Sequence, residues 1–274
     1  MGENQMKKLS IFFADGALVE EVSKELRSYL LKNSVEVLPK EELEHLQSAE
    51  NLTIISLGGD GTFLKASRLA LKIGASVFGV NLGSLGFLTD VEGVDVFSAV
   101  DSFLEGNYFV EKRMTLRAKV SGENIEDSFF AVNDFVVMRD LSDKILQTEA
   151  VINGFEVGKF RSDGFVVSTP TGSTAYSLSL GGPIIAPQAR VFCLVFAAPH
   201  KLSARPVIFS CDDKLTMKIL SDGNFSLQRD GEIVVHLSKF DRLAFTKNER
   251  DLEIIHLANK NFFDVLNKKF GWGL

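Results

Sequence analysis

Residues 52–62 read LTIISLGGDGT. The first half is a short apolar run rich in Ile and Thr, which predicts a buried strand. The second half, Gly58-Gly59-Asp60-Gly61-Thr62, is a glycine-rich turn. Residues 62–73 (TFLKASRLALKI) then carry good helix formers, with apolar positions at Phe63, Ala66, Leu69, Ala70 and Ile73. Gly74 stands where a left-handed cap would end that helix. Strand, glycine loop and helix therefore follow one another. Glycines let a backbone pass close to a ligand, and amides at a helix start point outward, so the loop suits a phosphate. Asp60 is the single carboxylate in it. An acid among phosphate-binding amides repels phosphate unless it holds a metal or takes a proton, and phosphoryl transfer needs one of those jobs done. A plain tight turn is the competing reading. The loop is no Walker A element, because no Gly-Lys-Ser/Thr follows, and it lacks the G-x-G-x-x-G spacing.

Upstream, residues 9–13 (LSIFF) and 34–38 (SVEVL) predict strands. Between them Leu18, Val22, Leu26, Tyr29 and Leu30 share one helical face. Val77–Val80 predicts a further strand, and the β-α-β-β-α-β order predicts a parallel sheet covered by helices. Ligands in such sheets bind at the carboxyl ends of the strands, where GGDGT lies. Residues 81–90 (NLGSLGFLTD), with Gly83 and Gly86, predict a second loop on the same rim, and residues 95–105 a closing helix capped by Gly106. The pattern changes near residue 110. Met114, Leu116, Ala118 and Val120 alternate with polar residues, as in a half-buried strand. Residues 129–138 (FFAVNDFVVM) read as one strand with Asn133-Asp134 embedded in it. TEAVI and FEVGKF flank Asn153-Gly154, a strong hairpin signal, while Asp222-Gly223 and Asp230-Gly231 mark turns. DRLAFT and LEIIHL supply two more strands. The fold class expected is α/β plus all-β: a Rossmann-like parallel α/β domain over 1–110 and a mainly antiparallel, β-sandwich-like domain over 111–257. A C-terminal helix within 258–274 is expected to pack back on the first domain through Phe262, Phe263 and Leu266.

A chain of 274 residues with 45% hydrophobic and 24% charged residues has the composition of a soluble globular protein. The net charge of −6 argues against nucleic acid or an anionic membrane as main partner. No apolar run approaches the roughly 20 residues that span a bilayer. No signal-peptide core opens the chain, and Cys193 and Cys211 form no CxxC pattern. A reducing cytoplasm is expected.

Two further groups carry chemistry. Residues 161–183 (RSDGFVVSTPTGSTAYSLSLGGP) are dense in serine, threonine and glycine. Long structureless loops in compact domains are usually functional, and hydroxyls at this density suit a ligand rich in hydroxyls and phosphates. Tyr176 could stack on a planar ring. Arg161 and Asp163 bracket the entrance, as a ligand contact or as a surface ion pair. Asn133-Asp134 is either a bulge or turn, or part of a pocket. An amide reads a base edge, and a carboxylate takes paired ribose hydroxyls.

Together these residues resemble the NAD kinase family. The resemblance rests on GGDGT at 58–62, NLGSLGFLT at 81–89, Asn133-Asp134, SDGFVVSTPTGSTAYSLSLGGPI at 162–184 and HKLSARPV at 200–207. It implies transfer of the terminal phosphoryl group of ATP to the adenosine 2′-hydroxyl of NAD. By resemblance Asp60 is the general base, with Gly58, Gly59, Gly61 and Thr62 around the nucleotide. Asn133 and Asp134 hold adenosine. Arg161, Asp163, Thr174, Ala175, Tyr176, Ser177, Leu178 and Ser179 line the pocket for the rest of the dinucleotide, and Lys65 and Lys144 match basic or polar positions of relatives. Many relatives carry Glu where Asp134 stands, and relatives often have Gln where Glu232 stands. Mg²⁺ or another divalent cation is expected to arrive with ATP, with no protein metal ligand assigned. The resemblance also implies a homodimer or homotetramer. Lipid kinases share GGDGT but follow it with a Pro-x-Gly-Thr-x-Asn-Asp loop that is missing here. A non-catalytic dinucleotide sensor would gain nothing from Asp60.

Overall fold

The run Leu52–Leu57 is buried on both faces, as a strand must be when helices cover a parallel sheet on either side. A computed structural model of the chain describes residues 8–49, 51–82, 86–89, 91–92, 96–123, 125–140, 143–257 and 261–271. It divides into two units, residues 1–113 with 250–274, and residues 114–249.

In the first unit the strands are β1 (Lys8–Phe13), β2 (Glu36–Leu38), β3 (Leu52–Leu57), β4 (Ser76–Asn81), β5 (Val91–Glu92), β6 (Phe109–Arg113) and β19 (Leu252–His256). They form one sheet in the order β2-β1-β3-β4-β19-β6, with β5 beside the end of β4. Every pair is parallel except β19 with β6. Helices α1 (Ala17–Lys32), α2 (Lys40–Leu43), α3 (Asp60–Ile73) and α4 (Val96–Leu104) join the strands. Leu26 and Leu30 of α1 and Val100 and Phe103 of α4 share a core with Leu9, Ile55, Phe78 and Ile255. α3 ends where Gly74 takes φ 77° and returns its amide to the Ala70 carbonyl, the cap expected from sequence.

The strand LEIIHL, assigned by sequence to the β domain, lies instead in this parallel sheet. The boundaries expected at 110/111 and 257/258 fall at 113/114 and 249/250. Its burial agrees with that place. Ile254 and Ile255 are adjacent and both buried, which a sheet covered on both faces requires and a half-solvated strand does not. Next to it, Glu111 of β6 accepts from Arg113 and lies 2.9 Å from the His256 ring nitrogen. Burial alone would raise the Glu111 carboxyl, but these two partners overcome it and hold the group down at about 2.

The second unit is a sandwich of two antiparallel sheets. One contains β7 (Leu116–Ser121), β8 (Glu126–Ala131), β10 (Leu146–Ile152), β11 (Phe155–Ser162), β15 (Leu215–Ile219) and β18 (Arg242–Lys247), in the order β11-β10-β15-β18-β7-β8. The other contains β9 (Asp134–Arg139), β12 (Gly164–Ser168), β13 (Val191–Ala197), β14 (Val207–Ser210), β16 (Phe225–Arg229) and β17 (Glu232–Leu237), in the order β14-β13-β12-β9-β16-β17. Alternate residues of both sheets interdigitate. Ala118, Met217 and Phe245 from one meet Phe135, Phe165 and Leu227 from the other in a single core.

The run 129–138 is not one strand. β8 ends at Ala131 in the first sheet and β9 begins at Asp134 in the second, so Asn133-Asp134 sits where the chain changes sheets. Polar groups that would be costly inside a strand are placed at a corner.

Candidate active site

Asp60 opens α3, directly after the loop that leaves β3. Gly58 takes φ 144°, a conformation open to glycine, and a side chain there would collide with Thr62. At Gly59 and Gly61 an added Cβ would meet no described atom within 4 Å, so both Cα atoms face open space. Lys65 is exposed one turn further along. The Asp60 carboxylate is held from the second rim loop: the Phe87 amide donates to Oδ2 at 3.0 Å and the Leu88 amide to Oδ1 at 3.2 Å. Gly86 makes this approach possible, since a Cβ there would overlap Asp60 Oδ1. Gly83 of the same loop lies outside the described residues.

In the second unit, Asn133 and Asp134 are fixed by a residue that the sequence marked only as a turn. Asp230 takes a left-handed φ of 46°. Its Oδ1 accepts the amides of Asn133 at 2.8 Å and Asp134 at 3.3 Å, and its Oδ2 that of Val132 at 3.2 Å. Three amides converging on one carboxylate form a charge-assisted clamp. On the other side, Thr169 Oγ1 donates to the Val132 carbonyl and accepts from the Gly172 amide. Among the described residues, Asn133 Oδ1 is buried without a hydrogen-bond partner, as an acceptor awaiting a donor would be. Asp134 is 3% exposed. Burial, and secondarily the charge of Asp230, push its carboxyl up to about 8, so it is mostly protonated at neutral pH in the unliganded protein.

The serine- and threonine-rich stretch is only partly a loop. It completes β11, forms β12, then a 3-10 turn at Thr171–Thr174 and the short helix α5 (Tyr176–Ser179). Much of its hydroxyl content serves its own backbone: Ser162 donates to the Gly164 carbonyl, and Ser173 donates to Pro170 and accepts from Ile185. Thr174, Ala175 and Leu178 are half-buried and Ser177 is buried, while Ser179 and the Tyr176 ring are exposed. Asp163 is paired, but with Arg139 rather than Arg161: Arg139 Nε lies 2.7 Å from Asp163 Oδ1. Asp134 and Asp163 do not meet. Asp134 pairs with Ser168 at one end of β12, and Asp163 precedes the other end, roughly 17 Å away at about 3.3 Å per residue. Arg161 instead opens onto a cavity of about 540 Å³, together with Lys159, His200 and Lys201. Lys144 is exposed ahead of β10.

Both halves of the chain match one family. The family model described as ATP-NAD kinase N-terminal domain matches residues 42–108, and the one described as ATP-NAD kinase C-terminal domain matches residues 132–257. The NAD kinase of Thermoanaerobacter sp. (strain X514) is 40% identical over 79% of this chain and 77% of its own. The chain belongs to the NAD kinase family. The NAD kinase of Pseudoalteromonas translucida (strain TAC 125) is 38% identical over 85% of this chain and 80% of its own. An NAD kinase from Archaeoglobus fulgidus, solved in complex with ATP, superposes with a TM-score of 0.73 at 25% identity, covering 96% of this chain and 97% of that one. Yeast NADH kinase complexed with NADH shares the fold, with a TM-score of 0.87 at 22% identity over 99% of this chain and 89% of that one.

This NAD kinase family member is a phosphotransferase with NAD kinase activity. Sequence reasoning took Asp230 only as a turn, quoted His200 only within the HKLSARPV motif, and assigned nothing to Arg139. An Asp-Gly pair after a strand reads first as a turn, and its second role depends on a partner 97 residues earlier. No group of three or more His, Cys, Asp or Glu side chains among the described residues has the arrangement of a metal cage.

Proposed function

We propose that Asp60 is the general base that takes the proton of the adenosine 2′-hydroxyl of NAD as that oxygen attacks the terminal phosphorus of ATP. The new P–O bond forms as the bond to ADP breaks, giving NADP and ADP. One observation carries this reading: the only carboxylate of the 58–62 loop starts a helix and has both oxygens oriented by the Phe87 and Leu88 amides. A base fixed in direction contributes through positioning, which is most of what a protein supplies in phosphoryl transfer. The open faces at Gly59 and Gly61 suit phosphates approaching the backbone, with Gly58 shaping the turn and Thr62 and Lys65 flanking them.

Asn133 and Asp134 hold the adenosine part. The unpartnered Asn133 Oδ1 accepts from the base, and the buried Asp134 carboxyl bonds a ribose hydroxyl. The 174–179 run, with the exposed Tyr176 ring, and Arg161, Asp163 and Lys144 line the remainder of the dinucleotide. Asp134 and Asp163 stand at opposite ends of β12, which suits different parts of a long ligand. A divalent cation such as Mg²⁺ arrives on the ATP phosphates and neutralises charge on the transferred group. Mg²⁺ keeps several waters and seldom needs an all-protein cage, which fits the single carboxylate of this loop. Assembly as a homodimer or homotetramer and a cytoplasmic location are carried from the family resemblance and the sequence. Among the described residues no helix is long and apolar enough to cross a membrane.

The test is the fate of the phosphate. With Mg-ATP, NAD is expected to give a single product phosphorylated at the adenosine 2′ position, read by phosphorus NMR. The 2′-deoxy analogue of NAD should bind with a modest loss and remain unphosphorylated. A 3′-phosphate or a phosphorylated deoxy analogue would overturn the assignment.

A further inference from the structure

Helix α6 (Phe262–Phe270) is anchored in the first unit by Val265 and Leu266, both buried. Its last turn brings Lys269 onto the loop that orients Asp60. Lys269 Nζ lies 4.7 Å from the centroid of the Phe87 ring and 4.0 Å from Asp60 Oδ2. Phe270 and Phe262 pack on the same ring, at 5.6 and 6.5 Å. Phe87 is the residue whose amide donates to Asp60 Oδ2. One helix therefore grips, by ring and by charge, the residue that aims the carboxylate. A lysine that served only solubility would reach into water. The Lys269 side chain is 28% exposed and bridges an aromatic face and an acid, a placement in which both the cation–π and the charge attraction gain from reduced hydration.

We propose that Lys269 is a positioning residue for phosphoryl transfer, fixing Asp60 both directly and through Phe87. The C-terminal helix is then a working part of the active site rather than a passive cover. The proposal rests on the reading of Asp60 as base, and the experiment separates the two.

Full-length Lys269→Met, Lys269→Arg, Asp60→Asn and the Asp60→Asn/Lys269→Met double variant are assayed at steady state with NAD and Mg-ATP. Lys269→Met is expected to lower kcat about tenfold, with both KM values within about twofold of wild type, because a misaimed base weakens the transition state and not the ground state. Lys269→Arg should recover most of the activity, and Lys269→Met should cost nothing further once Asp60 is Asn. Wild-type kcat in Lys269→Met, with Asp60→Asn inactive, would overturn the role of Lys269 and leave the base in place. A raised KM for ATP at unchanged kcat would also overturn it, making Lys269 a phosphate contact. An active Asp60→Asn would remove the base itself.

Discussion

Asp134, proposed above to bond a ribose hydroxyl, works against the fold that carries it. Its carboxyl is pushed from an ordinary 3.8 up to about 8, by burial first and by Asp230 second. Between those values the folded chain holds a proton that the unfolded chain has lost. The stability contribution of Asp134 therefore falls as pH rises from about 4 to about 8. Asp134→Asn removes the titrating group while keeping its size. In ligand-free protein the variant is expected to melt above wild type, with a gap that is small near pH 4 and widens to pH 8. Thermal melting across that range checks it. A constant gap would mean that the Asp134 carboxyl does not titrate there. NAD binding should weaken in the same variant if the acid bonds a ribose hydroxyl. Such a trade between stability and function is common where a polar group is buried for a ligand.

At the scale of elements, the corner between β8 and β9 depends on the hairpin turn between β16 and β17. Strand pairing alone does not hold it, because Val132 and Asn133 lie between strands that belong to different sheets. Asp230 supplies the missing acceptors for three consecutive amides. Hydrogen bonds to a charged acceptor are worth about 1.5–3 kcal/mol each, and leaving buried donors unmade costs about as much. Asp230→Ala is accordingly expected to destabilise the protein by at least about 2 kcal/mol. It should also raise KM for NAD more than it lowers kcat, since it frees Asn133 and Asp134 rather than Asp60. Denaturant melts and steady-state kinetics of the same variant read the two effects separately. An unchanged KM would show that the clamp serves the fold alone. The corner also shows a limit of local pattern: FFAVNDFVVM is apolar enough on both sides of Asn133-Asp134 to pass for one strand, and only pairing partners reveal two.

For the whole molecule, the chain returns to its first unit at the end, with β19 in the parallel sheet and α6 beside the rim loops. Deleting residues 260–274 removes the burial of Val265 and Leu266, each worth about 1.5–3 kcal/mol. It also removes Lys269 from Asp60. The truncated protein is expected to melt lower and to lose kcat, and unchanged melting would make the helix a free tail. Of the contacts expected from sequence, Leu266 is buried, whereas Phe262 is half-buried and Phe263 is 49% exposed. The α/β core was legible because its signals are local: an apolar run, a glycine loop and a helix with a cap at Gly74. Asp60 was legible for the same reason, as a lone carboxylate among glycines. Part of the sandwich, β7, β10, β11 and β18, was legible from alternation and the Asn153-Gly154 turn, whereas β12, β13, β14, β16 and β17 gave no such local signal. The tertiary structure alone decided which sheet LEIIHL joins, that Arg139 rather than Arg161 pairs with Asp163, and that Asp230 holds Asn133-Asp134. Each of these depends on a partner that chain folding brings near from 24 or more residues away. Composition, period and turn chemistry report what a residue prefers, whereas long-range pairing is set by how whole sheets close over their cores.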